Sequence, residues 1–331
     1  MLRNGSGVRP VRQRDLILPS TLVLLFASGA LLVAEYAPRT AWADPAVRFF
    51  FAGDGRLSLV HGHFEEHLDV RYRRADGSYD PAARAAIDRF FRSRGDGKVE
   101  AIPLRLIELL SYIQSRYRLR RMVLLSGYRS PEFNEALGTQ GQAVALASLH
   151  TQALAADLAI PDADLRKLWL RLRAEGVGGV GLYASQRFLH IDVGPVRFWE
   201  ETTSRVSEKL SAGNARIFAR SDFDRYPSLD GARITLHSVT AFPLRIARHI
   251  EGEAHGHVFE AQVVPLQPQL DREGDCWVIR EPSARYEFEV RGTPTVPLEL
   301  HGRRIALRLV TCSPRVERTP ENIPTNTIEI R

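Results

Sequence analysis

The chain has 331 residues, 44% of them hydrophobic and 25% charged, which excludes wholesale disorder and leaves room for two folded units. Its net charge is +6. Half of that excess falls in the first 43 residues, and no Lys/Arg run with interleaved aromatics occurs, so nucleic acid is not an expected partner. Cys276 and Cys312 are too few for a cysteine metal site; in an oxidising compartment they form one disulfide, or they stand as two separate buried thiols.

Arg3, Arg9, Arg12 and Arg14 precede an apolar run from Leu16 to Ala34, and Ala41-Trp42-Ala43 follows before Asp44. This is the order of a secretory signal, a basic start, an apolar stretch and a small-residue cleavage site, over residues 1–43. The run is also long enough for an uncleaved membrane anchor, although Pro19 and Gly29 interrupt it. Either way the body of the chain is expected to be exported, in the periplasm or anchored facing it, with membrane contact only through an uncleaved anchor. Residues 44–54 read as a linker.

Leu57 and Leu59, then Leu68, Val70 and Tyr72, alternate with polar residues and predict two strands around His61-Gly62-His63. Asp80-Pro81 opens a helix carrying Ala86, Ile87, Phe90 and Phe91, and a second follows Pro103 with Leu104, Ile107, Leu110, Ile113 and Tyr117 on one face. Met122 to Leu125 reads as a buried strand leading into a turn at Ser126–Pro131 and a short helix. Ala153–Ile160 and Phe188–Val193 read as strands, and Asp162–Ala174 as a helix. Gly176, Gly178, Gly179 and Gly181 mark close-packed or tightly turning backbone. Residues 55–199 therefore predict a small α+β domain with helices packed on an antiparallel sheet.

After Trp199 the pattern changes. A short helix is expected over Ser204–Leu210, inside a connecting segment 200–214. Strand-like runs follow at Ile234–Val239, His257–Val264, Cys276–Arg280, Tyr286–Val290, Arg304–Val310 and Thr327–Ile330, separated by turn signals. Residues 215–331 predict an all-β accessory domain, sandwich- or barrel-like.

The chemistry concentrates in two motifs, Ser148-Leu149-His150 with Asp157 seven residues after the His, and Phe188-Leu189-His190-Ile191-Asp192. Two imidazoles and one carboxylate can hold one zinc ion and leave its fourth position open for water, the ligand count of a hydrolytic rather than a structural site. Asp157 within an apolar strand pattern is costly without a partner, and a cation supplies one. Alternation puts His190 and Asp192 on the same strand face. His61, His63 and His67, and His255-Gly256-His257, lack a third ligand at suitable spacing and read as structural or solvated histidines. Ser126 and Ser130 sit on no nucleophile elbow.

Taken with Ser126-Gly127-Tyr128-Arg129-Ser130-Pro131, Gly178-Gly179-Val180-Gly181-Leu182-Tyr183 and Gly194-Pro195-Val196-Arg197-Phe198-Trp199, these motifs resemble the LAS-type zinc peptidases of peptidoglycan, in the branch of MepK-like murein endopeptidases. The resemblance covers residues 55–199 and implies the LAS/Hedgehog-like fold there. It implies His150, Asp157 and His190 as ligands of one Zn2+ per chain, and hydrolysis of peptide bonds in stem peptides or cross-links by metal-activated water, as an endopeptidase or carboxypeptidase. Arg129 then pairs with a substrate carboxylate, or remains in an ordinary ion pair. Many relatives carry a general-base Glu three residues before the second zinc His; Arg187 stands there, as a non-base does throughout this branch, which leaves Asp192 either as the base or as an orienting group. Ala153 replaces the family's usual Gly. A second expectation, a peptidoglycan-binding scaffold of the cell envelope with weak or no turnover, rests on Arg187 and Ala153; a third has the β domain docking an envelope protein partner.

Overall fold

The computed structural model describes residues 47–140, 148–204, 213–254, 256–283, 285–292, 301–312, 316 and 318–331. The expected export signal or anchor, nearly all of the helix expected over Ser204–Leu210, and His255 lie outside the described residues. From Val47 onward the described residues form one compact unit with two principal hydrophobic cores. Among them no helix is long and apolar enough to cross a membrane.

The first core is built on seven strands: β1 (Arg56–His61), β2 (His67–Arg71), β3 (Val123–Ser126), β4 (Ala155–Ala159), β5 (Gly179–Tyr183), β6 (Phe188–Asp192) and β7 (Arg197–Glu200), in spatial order β2-β1-β3-β4-β6-β5-β7. The sheet is mixed rather than purely antiparallel as expected: β1 pairs with β3, and β5 with β7, in parallel. The β1–β3 pairing follows from a long return path, which carries two helices and brings the chain back in the same direction. These are α1 (Pro81–Phe90), started by Asp80 accepting from the N–H groups of Ala82 and Ala83, and α2 (Leu104–Arg116). Two further helices are α3 (Pro131–Thr139), capped by Ser130, and α4 (Leu165–Glu175), capped by Asp164 and closed by Gly176 in the left-handed region at φ 68°.

β5 and β7 were not anticipated as strands. Of the glycines read as close-packed or tightly turning backbone, Gly179 and Gly181 are close-packed within β5, where Asp192 and Trp199 of the two neighbouring strands press against them, while Gly176 and Gly178 turn at positive φ. Residues 47–53, expected as a linker, are packed: Val47, Phe49 and Ala52 are buried beside Phe223, and Arg225 donates to the carbonyls of Val47 and Phe49.

The second core lies under one eleven-stranded sheet: β8 (Phe218–Ser221), β9 (Arg225–Tyr226), β10 (Arg233–His237), β11 (Leu244–Ala254), β12 (His257–Gln267), β13 (Asp271–Glu273), β14 (Cys276–Ile279), β15 (Tyr286–Arg291), β16 (Arg304–Thr311), β17 (Asn322–Pro324) and β18 (Ile328–Ile330). It is β-rich as expected; of the two forms expected, the sandwich is not formed among the described residues, and the described strands make one curled sheet. Cys276 and Cys312 are disulfide-bonded and tie β14 to the end of β16.

Candidate metal centre

Register across the first sheet brings the candidate residues into two adjacent rows. In one, Ser126 of β3 lies opposite Asp157 of β4, Asp157 opposite His190 of β6, His190 opposite Gly181 of β5, and Gly181 opposite Trp199 of β7. In the next, Ala155, Asp192, Gly179 and Arg197 line up across the same strands. The two glycines are what make the rows work. A Cβ on Gly181 would collide with the Trp199 indole, and one on Gly179 with the Asp192 carboxylate. Without those methyl groups, Trp199 leans toward His190, with ring centroids 5.3 Å apart, and Arg197 reaches across β5 to Asp192.

His150 arrives from outside the strands, on a 3₁₀ turn over Leu149–Gln152. Ala153 closes that turn in the left-handed region at φ 58°, ψ 23°, its N–H bonded to the carbonyl of His150. A side chain in that region costs roughly 1 kcal/mol or more, so the glycine usual at this place has a backbone reason, and Ala153 is tolerated as the smallest alternative.

The turn sets His150 Nε2 3.3 Å from Asp157 Oδ1 and 3.3 Å from His190 Nδ1, and the latter two atoms are 2.9 Å apart. A tetrahedral zinc with ligands at about 2.0–2.1 Å holds its donor atoms about 3.3–3.4 Å apart; the two edges at His150 match that, and the 2.9 Å edge between Asp157 and His190 is a hydrogen bond that would have to lengthen. The donor set, two imidazoles and a carboxylate, is also a zinc set.

The atoms facing away from the triangle are all engaged. His150 Nδ1–H donates to the Gly127 carbonyl at 2.7 Å, which leaves Nε2 as the lone-pair nitrogen facing inward. His190 Nε2–H donates to Asp192 Oδ2 at 2.9 Å and so presents Nδ1. Asp157 Oδ2 accepts from Arg129 Nη2 at 2.7 Å, and Arg129 Nε donates to Ser126 Oγ at 2.9 Å. Arg129 is therefore paired with a candidate ligand. Asp192 is fully buried and accepts two bonds on each oxygen: from Gly194 N–H and Arg197 Nη1 on Oδ1, and from His190 and Arg197 Nη2 on Oδ2.

The electrostatics follow from this crowding. Burial alone would raise the Asp157 carboxyl, but the imidazoles of His150 and His190 outweigh it and hold it well below the usual carboxylate range. Burial likewise opposes charge on His190, yet its bonds to Asp157 and Asp192 raise it to about 9. Asp192 shows the same contest, with burial raising it and the Arg197 charge, first among its partners, bringing it down to about 2. His150 is lowered by burial and by the Arg129 charge. The pocket is arranged to carry positive charge next to Asp157, whether on a proton or on a cation.

The remaining residues of interest lie elsewhere. Arg187 sits in the exposed β5–β6 hairpin turn at φ 59°. His61 is the buried last residue of β1; its Nδ1 accepts from the N–H groups of His63 and Phe64, and burial lowers it to about 4. A second group that could hold a cation, His249, Glu251 and Glu260 on β11 and β12, is partly exposed, and Glu251 is bonded to Arg308 at 2.6 Å. The roles of Gly127, Arg197 and Trp199 were not assigned from sequence; all three fall inside quoted motifs, but only the fold reveals whom they touch.

Comparison with known proteins finds relatives for the first half of the chain. The family described as peptidoglycan L,D-endopeptidase MepK matches residues 52–199. The peptidoglycan L,D-endopeptidase MepK of Escherichia coli (strain K12) is 33% identical over 183 residues, covering 53% of this chain and 94% of that protein. The probable peptidoglycan L,D-endopeptidase MepK of Haemophilus influenzae is 31% identical over 137 residues, covering 41% and 73%. No solved structure matches the chain. With nearly the whole of the Escherichia coli relative spanned, the chain belongs to the peptidoglycan L,D-endopeptidase MepK family.

Proposed function

We propose that this protein is a zinc-dependent murein endopeptidase of the LAS type, exported to the periplasm, hydrolysing peptide bonds in the cross-links of peptidoglycan. The observation that carries the reading is the convergence of His150 Nε2, Asp157 Oδ1 and His190 Nδ1 within 3.3 Å of one another, in a chain of this family. His150, Asp157 and His190 would hold the ion. Bound there, it would supply a water of lowered pKa and polarisation of the scissile carbonyl.

The protein's own groups do the positioning. Gly127 fixes the tautomer of His150, and Asp192 does the same for His190. Arg129 occupies the outer oxygen of Asp157, so the carboxylate offers the ion one oxygen, Oδ1. Asp192 acts as a positioning residue and not as the proton acceptor, because both its oxygens are filled and Arg197 keeps it ionised. Trp199 forms a wall beside His190.

The test is direct. Protein carrying His150→Ala or His190→Ala is expected to lose stoichiometric zinc by elemental analysis and to leave cross-linked muropeptides unchanged by mass spectrometry, while the wild type binds one zinc and releases un-cross-linked products. A wild-type protein that carries one zinc per chain, binds peptidoglycan and yields no products would overturn the enzyme reading in favour of a wall-binding scaffold.

A further inference from the structure

The turn that carries His150 is held from within the family segment, where Gly127 accepts from the ring and the Arg129 N–H donates to the His150 carbonyl, and also by residues beyond that segment, which ends at residue 199. Gln152, the last residue of that turn, has its side-chain amide gripped at both ends. Its Oε1 accepts from His237 Nδ1–H at 3.0 Å, and its Nε2 donates to Ser238 Oγ at 3.2 Å. His237 is the last residue of β10, buried and stacked on Phe218 of β8 at 5.0 Å and 23°. Phe218 in turn belongs to the first core. On the other side, Arg220 of β8 donates Nε to the carbonyl of Val193 at 2.9 Å, the residue directly after Asp192. The second sheet therefore bonds to both chain segments that supply imidazoles, two residues past His150 and three past His190.

We propose that the C-terminal sheet is a clamp for the metal centre, with Gln152 and Arg220 as positioning residues that hold the His150 turn against the strand of His190. The proposal rests on the metal-site reading above. Its physical basis is tolerance: ligand distances must stay within about 0.2 Å of their proper values, whereas a four-residue 3₁₀ turn has few bonds of its own. His150 is the one donor not carried on a strand of the first sheet, so its place depends on what holds the turn. A site of this kind needs its supporting contacts locked to stay within catalytic geometry.

The experiment compares full-length wild type with Gln152→Ala, His237→Phe and Arg285→Ala. The last removes the Arg285–Glu100 ion pair and the bond from Arg285 to the Ala101 carbonyl, both between the same two halves, and no bond to the turn. Three quantities are read: zinc affinity by chelator competition, kcat and KM on cross-linked muropeptides, and amide exchange of Ala153 and Leu154 in metal-free protein. Gln152→Ala and His237→Phe are expected to weaken zinc binding about tenfold or more, to lower kcat at limiting zinc with KM little changed, and to speed exchange at both amides. Arg285→Ala is expected to match wild type in all three. Zinc affinity within about twofold of wild type in both turn variants, or an equal loss in Arg285→Ala, overturns the clamp. If His237→Phe fails to fold, Gln152→Ala decides, since it removes only an amide from a half-buried residue. If wild type binds no zinc, the metal-site reading fails by itself; faster exchange in Gln152→Ala still supports the clamp on the turn, and unchanged exchange overturns it.

Discussion

Asp192 shows how little a residue's identity says before its bonds are known. A buried carboxylate two residues from a candidate metal-binding histidine suits either a general base or an orienting group. Its four bonds, two from Arg197, one from Gly194 and one from His190, are the reason the proposed function gives it the second role. Asp192→Asn tests it. The amide can still accept from His190, but its NH2 then faces the Arg197 guanidinium, donor against donor. Zinc affinity is expected to fall by about 10–100-fold, with kcat at saturating zinc largely retained, measured by chelator competition and by rates across a zinc titration. Were Asp192 the proton acceptor, kcat at saturating zinc would fall by about 10²–10⁴-fold instead.

At the scale of elements, α2 carries more than its apolar stripe. Glu108 is wholly buried and accepts from Tyr72 at 2.8 Å, from Arg73 Nε at 2.8 Å and from Tyr79 at 3.1 Å, while Arg73 also donates to the Gly53 carbonyl. Removing the carboxylate leaves a buried guanidinium without its counter-charge. Glu108→Ala is therefore expected to cost roughly 3–5 kcal/mol in denaturant unfolding, with zinc affinity of the folded protein unchanged. This network was invisible to periodicity, because Arg73 and Gly53 lie far from α2 in the chain. Helices and strands with a clean apolar rhythm, such as α2 and β1, were legible, and so was the His/Asp/His set, whose spacing is local within each motif. β5 was not, because its glycines record the bulk of Asp192 and Trp199 rather than a preference of their own. β11 was not either: its register against β16 shifts between Ile246 and Ile250, which breaks the two-residue rhythm, and Gly252 lies beneath the Phe259 ring.

For the whole molecule, a composition change after Trp199 marked where the second sheet begins, yet the two halves are laced together. Residues 47–53 pack against Phe223, Arg105 of α2 pairs with Asp224, and Phe218 of β8 fills the first core. The disulfide closes 36 residues of the second sheet, a constraint on the unfolded chain of roughly 3–4 kcal/mol. His237 sits where the halves meet, and its titration should report on their union. Burial first, then the charges of Arg220 and Arg285, lower it to about 3, so the folded protein keeps it neutral with Nδ1–H on Gln152. Between pH 6.5 and about 3 the unfolded chain binds a proton that the folded chain refuses, so stability is lost as pH falls through that window. The slope from this residue is at most about 1.4 kcal/mol per pH unit. His61, lowered to about 4, adds a second contribution that a single curve cannot separate. The separation comes from His237→Phe. Urea midpoints of metal-free wild type and variant, measured from pH 7 to pH 4, are expected to converge as the pH falls, because only the wild type loses the His237 share. Parallel curves over that range would place His237 in contact with solvent, and the two halves apart.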